Sequence, residues 1–136
     1  MQVQPYVFFS GNAAEAAEFY RDALGAEITM LMRYRECPEP LDPARVPPGS
    51  EDRVMHMNLR IGDTMLMGAD GCGGEAKGFA GFSLSLTVAD PAEAERCFAA
   101  LGAGGTVCMP LGPTFFSPAF GMLNDRFGVS WMIVVM

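Results

Sequence analysis

The chain writes one structural unit twice. Asn12-Ala-Ala-Glu15 opens one segment of helical apolar periodicity and Asp90-Pro-Ala-Glu93 opens another. Both close on the same tripeptide, Leu24-Gly25-Ala26 and Leu101-Gly102-Ala103. An Asx residue followed three positions later by Glu is the capping-box arrangement of a helix start, and Pro91 sits where its missing N–H costs nothing. Ala16, Phe19, Tyr20, Ala23 and Leu24 share one face of the first predicted helix, and Ala94, Cys97, Phe98 and Leu101 share one face of the second. Gly25 and Gly102 are expected to end the helices in the left-handed conformation.

A strand is predicted before each helix and three after it. In the first unit they cover residues 3–9, 27–35, 53–61 and 64–69, with Gly62-Asp63 as a two-residue hairpin turn. In the second they cover 82–88, 106–111, part of 115–123, and 129–135. The fold class is therefore α+β, a single domain over residues 1–136 made of two βαβββ repeats near 1–75 and 76–136. Five prolines between Glu36 and Asp52 keep that loop out of any sheet. The glycine-rich 70–81 segment links the units. Loops of such length serve as lids over sites about as often as they serve as plain connections.

Strand alternation sorts the side chains onto two faces. One set is wholly apolar: Tyr6, Phe8; Met55, Met57, Leu59, Ile61; Leu66; Phe82, Leu84, Leu86, Val88; Trp131, Ile133, Val135. It is expected to pack on the helices. The opposite set is mixed: Pro5, Val7, Phe9; His56, Asn58, Arg60; Met65, Met67, Ala69; Ser83, Ser85, Thr87; Met132, Val134. A few polar groups among apolar ones is the composition of a small-molecule site. His56, Asn58, Arg60, Met67, Ser83, Ser85 and Met132 are the candidate ligand-binding residues.

The totals narrow the partners. A formal charge of −7 and an isoelectric point near 4.5 argue against nucleic acid, whose phosphates would be repelled. No apolar run approaches a membrane span, so a soluble protein is expected and no membrane partner. Met-Gln-Val-Gln-Pro lacks the basic start and apolar core of an export signal, and the four cysteines (Cys37, Cys72, Cys97, Cys108) contain no Cys-x-x-Cys pair. Both point to free thiols in a reducing cytoplasm. Cys97 and Cys108 read as packing, and Cys72 is the cysteine to test for reactivity.

The last third, Val107-Cys-Met-Pro-Leu-Gly-Pro-Thr-Phe-Phe116 and Phe120-Gly-Met-Leu-Asn-Asp-Arg-Phe-Gly-Val-Ser-Trp131, is rich in uncommon residues. It resembles the C-terminal signature of the PhnB-like branch of the vicinal oxygen chelate superfamily, which includes glyoxalases I, extradiol dioxygenases and bleomycin-resistance proteins. The resemblance implies that each unit curls its sheet into half of a cupped barrel, with the mixed face inside, and that the protein pairs as a homodimer. It also implies a divalent metal on His, Glu or Gln side chains from the first and last strands of each unit. Counted from the helix starts and the Asp125–Gly128 turn, those positions fall on Pro5, Met67, Ser83 and Met132. Proline offers no ligand, thioethers suit hard divalent ions poorly, and serine is a rare ligand. No metal and no other cofactor are expected.

His56 is the only histidine. It is the candidate catalytic residue, as a general base or hydrogen-bonding anchor, or equally a satisfied structural group. Met55-His56-Met57 suggests a copper site, but alternation turns both methionines away from the imidazole. Met-x-Met recurs at Met30/Met32 and Met65/Met67, as flexible packing or a pliable wall. No Gly-x-Gly-x-x-Gly after a strand, phosphate loop or nucleophile elbow occurs. The quinone-methyltransferase name sometimes given to this branch therefore finds no nucleotide loop. Two classes remain open: a metal-independent protein binding a small, partly apolar ligand, and a glyoxalase- or dioxygenase-type enzyme with an unconventional metal site or His56 as base.

Overall fold

A computed structural model describes residues 1–71 and 78–136. Cys72 lies outside the described residues. The chain divides into two compact units, Met1–Lys77 and Gly78–Met136, close to the predicted repeat boundary. The first contains β1 (Tyr6–Phe9), α1 (Ala13–Leu24), β2 (Glu27–Arg33), β3 (Val54–Ile61) and β4 (Thr64–Asp70). The second contains β5 (Leu84–Val88), α2 (Pro91–Gly102), β6 (Thr106–Gly112), β7 (Phe120–Asn124) and β8 (Ser130–Val135).

Each unit is one four-stranded mixed sheet with the same connectivity, β1-β4-β3-β2 and β5-β8-β7-β6. The first strand lies parallel to the last, and the other pairings are antiparallel. A parallel neighbour cannot be reached by a hairpin, so the helix and two further strands intervene before the pair closes. At the β3–β4 hairpin, Gly62 takes φ 58°, and among the described residues no non-glycine residue has positive φ. Glycine at the first central position with an ordinary second residue is the pattern of a type II′ turn. The predicted α+β class and two βαβββ units describe this architecture, and the proline-rich 37–53 stretch contains no strand.

The cores are built from small helix residues against large strand residues. Ala13, Ala16, Ala17 and Ala23 are buried on α1 together with Tyr20, and Val7, Phe9, Met57, Leu59 and Leu66 are buried on its sheet. Alanines let a helix approach a sheet closely, and Tyr20 fills the remaining volume. On α2 the buried residues are Ala94, Cys97 and Leu101, and on its sheet Leu123, Trp131, Ile133 and Val135. Burial raises the Cys97 thiol above its usual range, with Arg96 opposing and Glu93 adding to the shift, so this cysteine packs as an inert apolar group.

The two helices are capped by different means. Asp90 behaves as predicted: its Oδ1 accepts from the Glu93 amide at 2.8 Å, and Glu93 Oε2 accepts from the Ala89 amide at 3.3 Å. Asn12 makes no cap bond to its helix and instead accepts from the Ser10 amide at 3.3 Å. The α1 start is capped from the far end of β4. Asp70 Oδ1 accepts from the amides of Gly11 (2.7 Å) and Ala13 (3.0 Å), and Oδ2 from the amide of Val54 (2.9 Å). The C-termini also differ. Gly25 ends α1 in the left-handed region, whereas Gly102 stays helical and the left-handed residue comes later, at Gly104.

Two expectations about the faces are corrected. Tyr6 and Phe8 are 39% and 61% exposed, while Val7 and Phe9 are buried, so the β1 faces are the reverse of those predicted. Three residues join β1 to α1 and two join β5 to α2, so β1 and β5 are offset by one residue relative to their helices. One residue of slip moves a strand's side chains to the opposite face. Phe82, placed in the core by alternation, precedes β5, is 49% exposed and meets Phe79 edge-on, 6.4 Å between centroids.

The caps generate a stability prediction. Asp90→Ala removes one exposed N-cap and is expected to cost about 1 kcal/mol. Asp70→Ala strands amides at a buried junction and is expected to cost at least about 3 kcal/mol. Urea unfolding of both variants checks this, and equal losses would show that the Asp70 carboxylate does not organise the unit.

Candidate functional site

In a sheet, residues paired across neighbouring strands point to the same face. Met67 of β4 pairs with Tyr6 on one side and with Asn58 on the other, and Asn58 pairs with Met30. One row on the face away from α1 is therefore Tyr6, Met67, Asn58, Met30. Two residues along, His56 pairs with Met32, and Phe8 pairs with Ala69. A bulge in β2 skips Thr29, whose hydroxyl donates to the Asn58 carbonyl at 3.3 Å. That extra residue sets two methionines opposite Asn58 and His56.

A hydrogen-bonded relay runs across this face. Tyr6 Oη lies 2.9 Å from His56 Nδ1, and His56 Nε2 lies 2.8 Å from Asn58 Oδ1. With the amide oxygen turned to the ring, Nε2 is the donor of the neutral imidazole and Nδ1 the acceptor, so the Tyr6 hydroxyl donates to Nδ1. Burial raises the Tyr6 phenol above its ordinary value, which keeps the proton on the tyrosine oxygen. The Tyr6 ring also packs on Phe8, centroids 5.0 Å apart, and on His56 at 5.5 Å.

The structure brings together His56, Asn58 and Met67 of the predicted residues. Arg60 lies at the far end of the same strand, paired in register with Glu27 and joined to it by a salt bridge. In the second unit, Ser85 pairs with Met132, which pairs in turn with Met122, while the Ser83 hydroxyl lies 2.6 Å from that of Ser130. Tyr6 is the functional candidate that alternation missed. A usable signal existed, since a tyrosine hydroxyl assigned to a wholly apolar face has no partner there.

The donor set does not fit the divalent metal that the fold implies. The β1 residue facing Met67 is Tyr6 rather than Pro5, and the single imidazole has both nitrogens engaged. Met67 and Met132 supply thioethers, and Ser83 is bonded to Ser130. Among the described residues, no group of three or more His, Cys, Asp or Glu could hold a metal ion.

Two mixed four-stranded sheets with matching βαβββ connectivity define a protein of the glyoxalase/bleomycin-resistance fold. A glyoxylase/bleomycin resistance protein/dioxygenase domain from Frankia sp. EAN1pec shares that fold, with TM-score 0.71 and 11% identity over 99% of this chain and 96% of its own. Within it, the chain belongs to the PhnB-like family, whose profile, described as 3-demethylubiquinone-9 3-methyltransferase, matches residues 1–134. Protein YjdN of Escherichia coli K12 is 32% identical over 140 residues, covering 99% of this chain and 95% of YjdN. Protein PA1353 from Pseudomonas aeruginosa is 42% identical, with TM-score 0.87 over 99% of this chain and 97% of that one. The PhnB protein from Bacillus cereus is 30% identical, with TM-score 0.83 over the full length of both.

The raised Tyr6 value carries a sign. A phenol whose folded pKa lies above its unfolded one contributes stability that is complete below about pH 10 and is lost as pH rises through the folded value. The difference in phenolate absorbance between wild type and Tyr6→Phe is expected to show one group ionising above the ordinary phenol range. Ionisation at or below that range would break the relay as drawn.

Proposed function

We propose that this PhnB-like protein binds a small, partly apolar molecule on the mixed face of its first sheet, without the metal that its fold family implies. The Tyr6–His56–Asn58 relay, set among Phe8, Met30, Met32 and Met67, is the observation that carries this reading. Thioether side chains adapt to a ligand's shape, and a short polar chain among them fixes its orientation. Ser83, Ser85 and Met132 are proposed as ligand contacts of the second unit in their own right, and Arg60 as a peripheral one.

We further propose a cytoplasmic homodimer. Support comes from the free thiols of Cys37, Cys97 and Cys108, and from the exposed apolar side chains Val107, Met109, Phe115 and Phe116. Among the described residues, no helix is long and apolar enough to cross a membrane.

The methyltransferase description of the family is not carried over to this chain. Nucleotide-type cofactors dock where a strand passes into a helix and leaves amides free. Here Asp70 accepts from the Ala13 amide at the start of α1 and Asp90 from the Glu93 amide in the first turn of α2. A second reading, favoured by the same relay, is a glyoxalase- or dioxygenase-type enzyme in which His56 takes a proton. With both ring nitrogens engaged, that proton would have to arrive through Tyr6.

Indole, titrated into isotope-labelled protein, is expected to shift the methyl signals of Met30, Met32 and Met67 and the ring signals of His56. His56→Ala is expected to weaken indole about tenfold while leaving the thermal midpoint nearly unchanged. A loss of stability of about 1–3 kcal/mol with indole affinity intact would make His56 a structural group instead.

Tag-free protein is expected to contain substoichiometric divalent metal by elemental analysis and to be dimeric by light scattering. One equivalent of metal per chain, lost on mutating the mixed face, would overturn the metal-free reading. A monomer at all concentrations would remove the dimer.

A further inference from the structure

On the reading that this face binds ligand, we infer that the Tyr6 oxygen is the ligand-contacting atom and offers only lone pairs, so the site selects uncharged aromatic molecules that donate an O–H or N–H. His56 and Asn58 are positioning residues in this scheme. Asn58 Oδ1 can only accept, so it holds the proton on His56 Nε2 at 2.8 Å. That leaves Nδ1 as an acceptor, and the Tyr6 proton is committed to it across 2.9 Å. A phenol has one proton to give. With that proton pointed at the imidazole, the outward side of the oxygen is an acceptor.

The surroundings supply the rest of the selectivity. The Tyr6 and Phe8 rings stand 5.0 Å apart at 38°, on an exposed stretch of the same face. Thioethers at Met30, Met32 and Met67 share that face, and sulfur contacts aromatic ring edges favourably. A flat ring is thus the apolar shape this surface accommodates best. Arg60, the nearest basic residue along β3, is paired with Glu27, and the chain as a whole carries −7. At the Tyr6 oxygen a carboxylate would meet lone pairs rather than a donor.

Three matched probes test this: phenol, anisole (the same ring with the O–H methylated) and benzoate. Because His56 is the only histidine, its ring signals report without ambiguity. The wild type is expected to show the Nε2–H tautomer and to bind phenol about five- to tenfold more tightly than anisole, the worth of one net hydrogen bond. Benzoate is expected to bind more weakly than either. In Tyr6→Phe the phenol-to-anisole ratio should fall to about one with anisole affinity retained. In His56→Ala the freed Tyr6 hydroxyl can turn outward, so benzoate should gain relative to phenol, a change that a merely structural histidine would not produce.

Equal affinity for phenol and anisole in the wild type, an unchanged ratio in Tyr6→Phe, benzoate binding as tightly as phenol, or an Nδ1–H tautomer would each overturn the inference. In the first three of those cases binding at the face survives and only its polarity is wrong. If none of the probes perturbs Tyr6, His56 or the three methionines, the ligand-binding reading of the face fails, and this inference with it.

Discussion

One buried carboxylate organises the first unit. Asp70, 2% exposed at the end of β4, accepts hydrogen bonds from Gly11, Ala13 and Val54, thereby joining the last strand to the entry of α1 and to the start of β3. A buried carboxylate is stable only with such partners, and unpaired amides at a helix start need an acceptor of their own. Each requirement meets the other. Because the bonds come from two other chain segments, one following β1 and one opening β3, they tie down both strands that flank β4. The register of Tyr6 and Asn58 against Met67 depends on that anchoring.

The second unit reaches the same connectivity with a different anchor. Asp125, also buried, accepts from the Phe127 and Val129 amides through Oδ1 and from the Trp131 indole through Oδ2. It secures the β7–β8 turn to the core, whereas the helix is capped locally by Asp90. Nearby, Gly105 turns so close to this junction that a Cβ there would lie 2.1 Å from the Asn124 carbonyl oxygen. Two repeats thus share a topology while solving their polar problems with different residues. That freedom is consistent with a mixed face that is aromatic and imidazole-bearing in one unit and hydroxyl-bearing in the other.

What could be read from sequence follows from which signals are local. Apolar periodicity, the Gly62-Asp63 turn and the Asp90 cap act within a few residues, and they located both helices and all eight strands to within a few positions. The Asn12 cap failed because the acceptor that replaces it, Asp70, lies 57 residues along the chain from the Ala13 amide it caps. The β1 faces failed because Tyr6-Val7-Phe8-Phe9 offers no polar contrast, and the count from the helix starts that put Pro5 opposite Met67 carried a one-residue difference in connection length. His56 and Asn58 were found together because they alternate on one strand. Tyr6 reaches them only across β4, a proximity that exists in the sheet and not in the chain.

A relay of this kind requires only one histidine. A metal site needs several donors to converge on one point, whereas a hydrogen-bonded chain needs only that each member have one donor and one acceptor. The sheet supplies that arrangement with ordinary strand geometry: Asn58 and His56 two residues apart on β3, and Tyr6 reaching His56 diagonally from β1. Methionines fill the intervening places, with no polar atom to compete for the ring nitrogens. Direction then passes along the chain from the amide oxygen to the phenol. A carbonyl that can only accept fixes the imidazole tautomer, the imidazole fixes the hydroxyl, and the hydroxyl presents lone pairs at the exposed end. The polarity of the surface is therefore set at Asn58, two groups away from the atom that would meet a ligand.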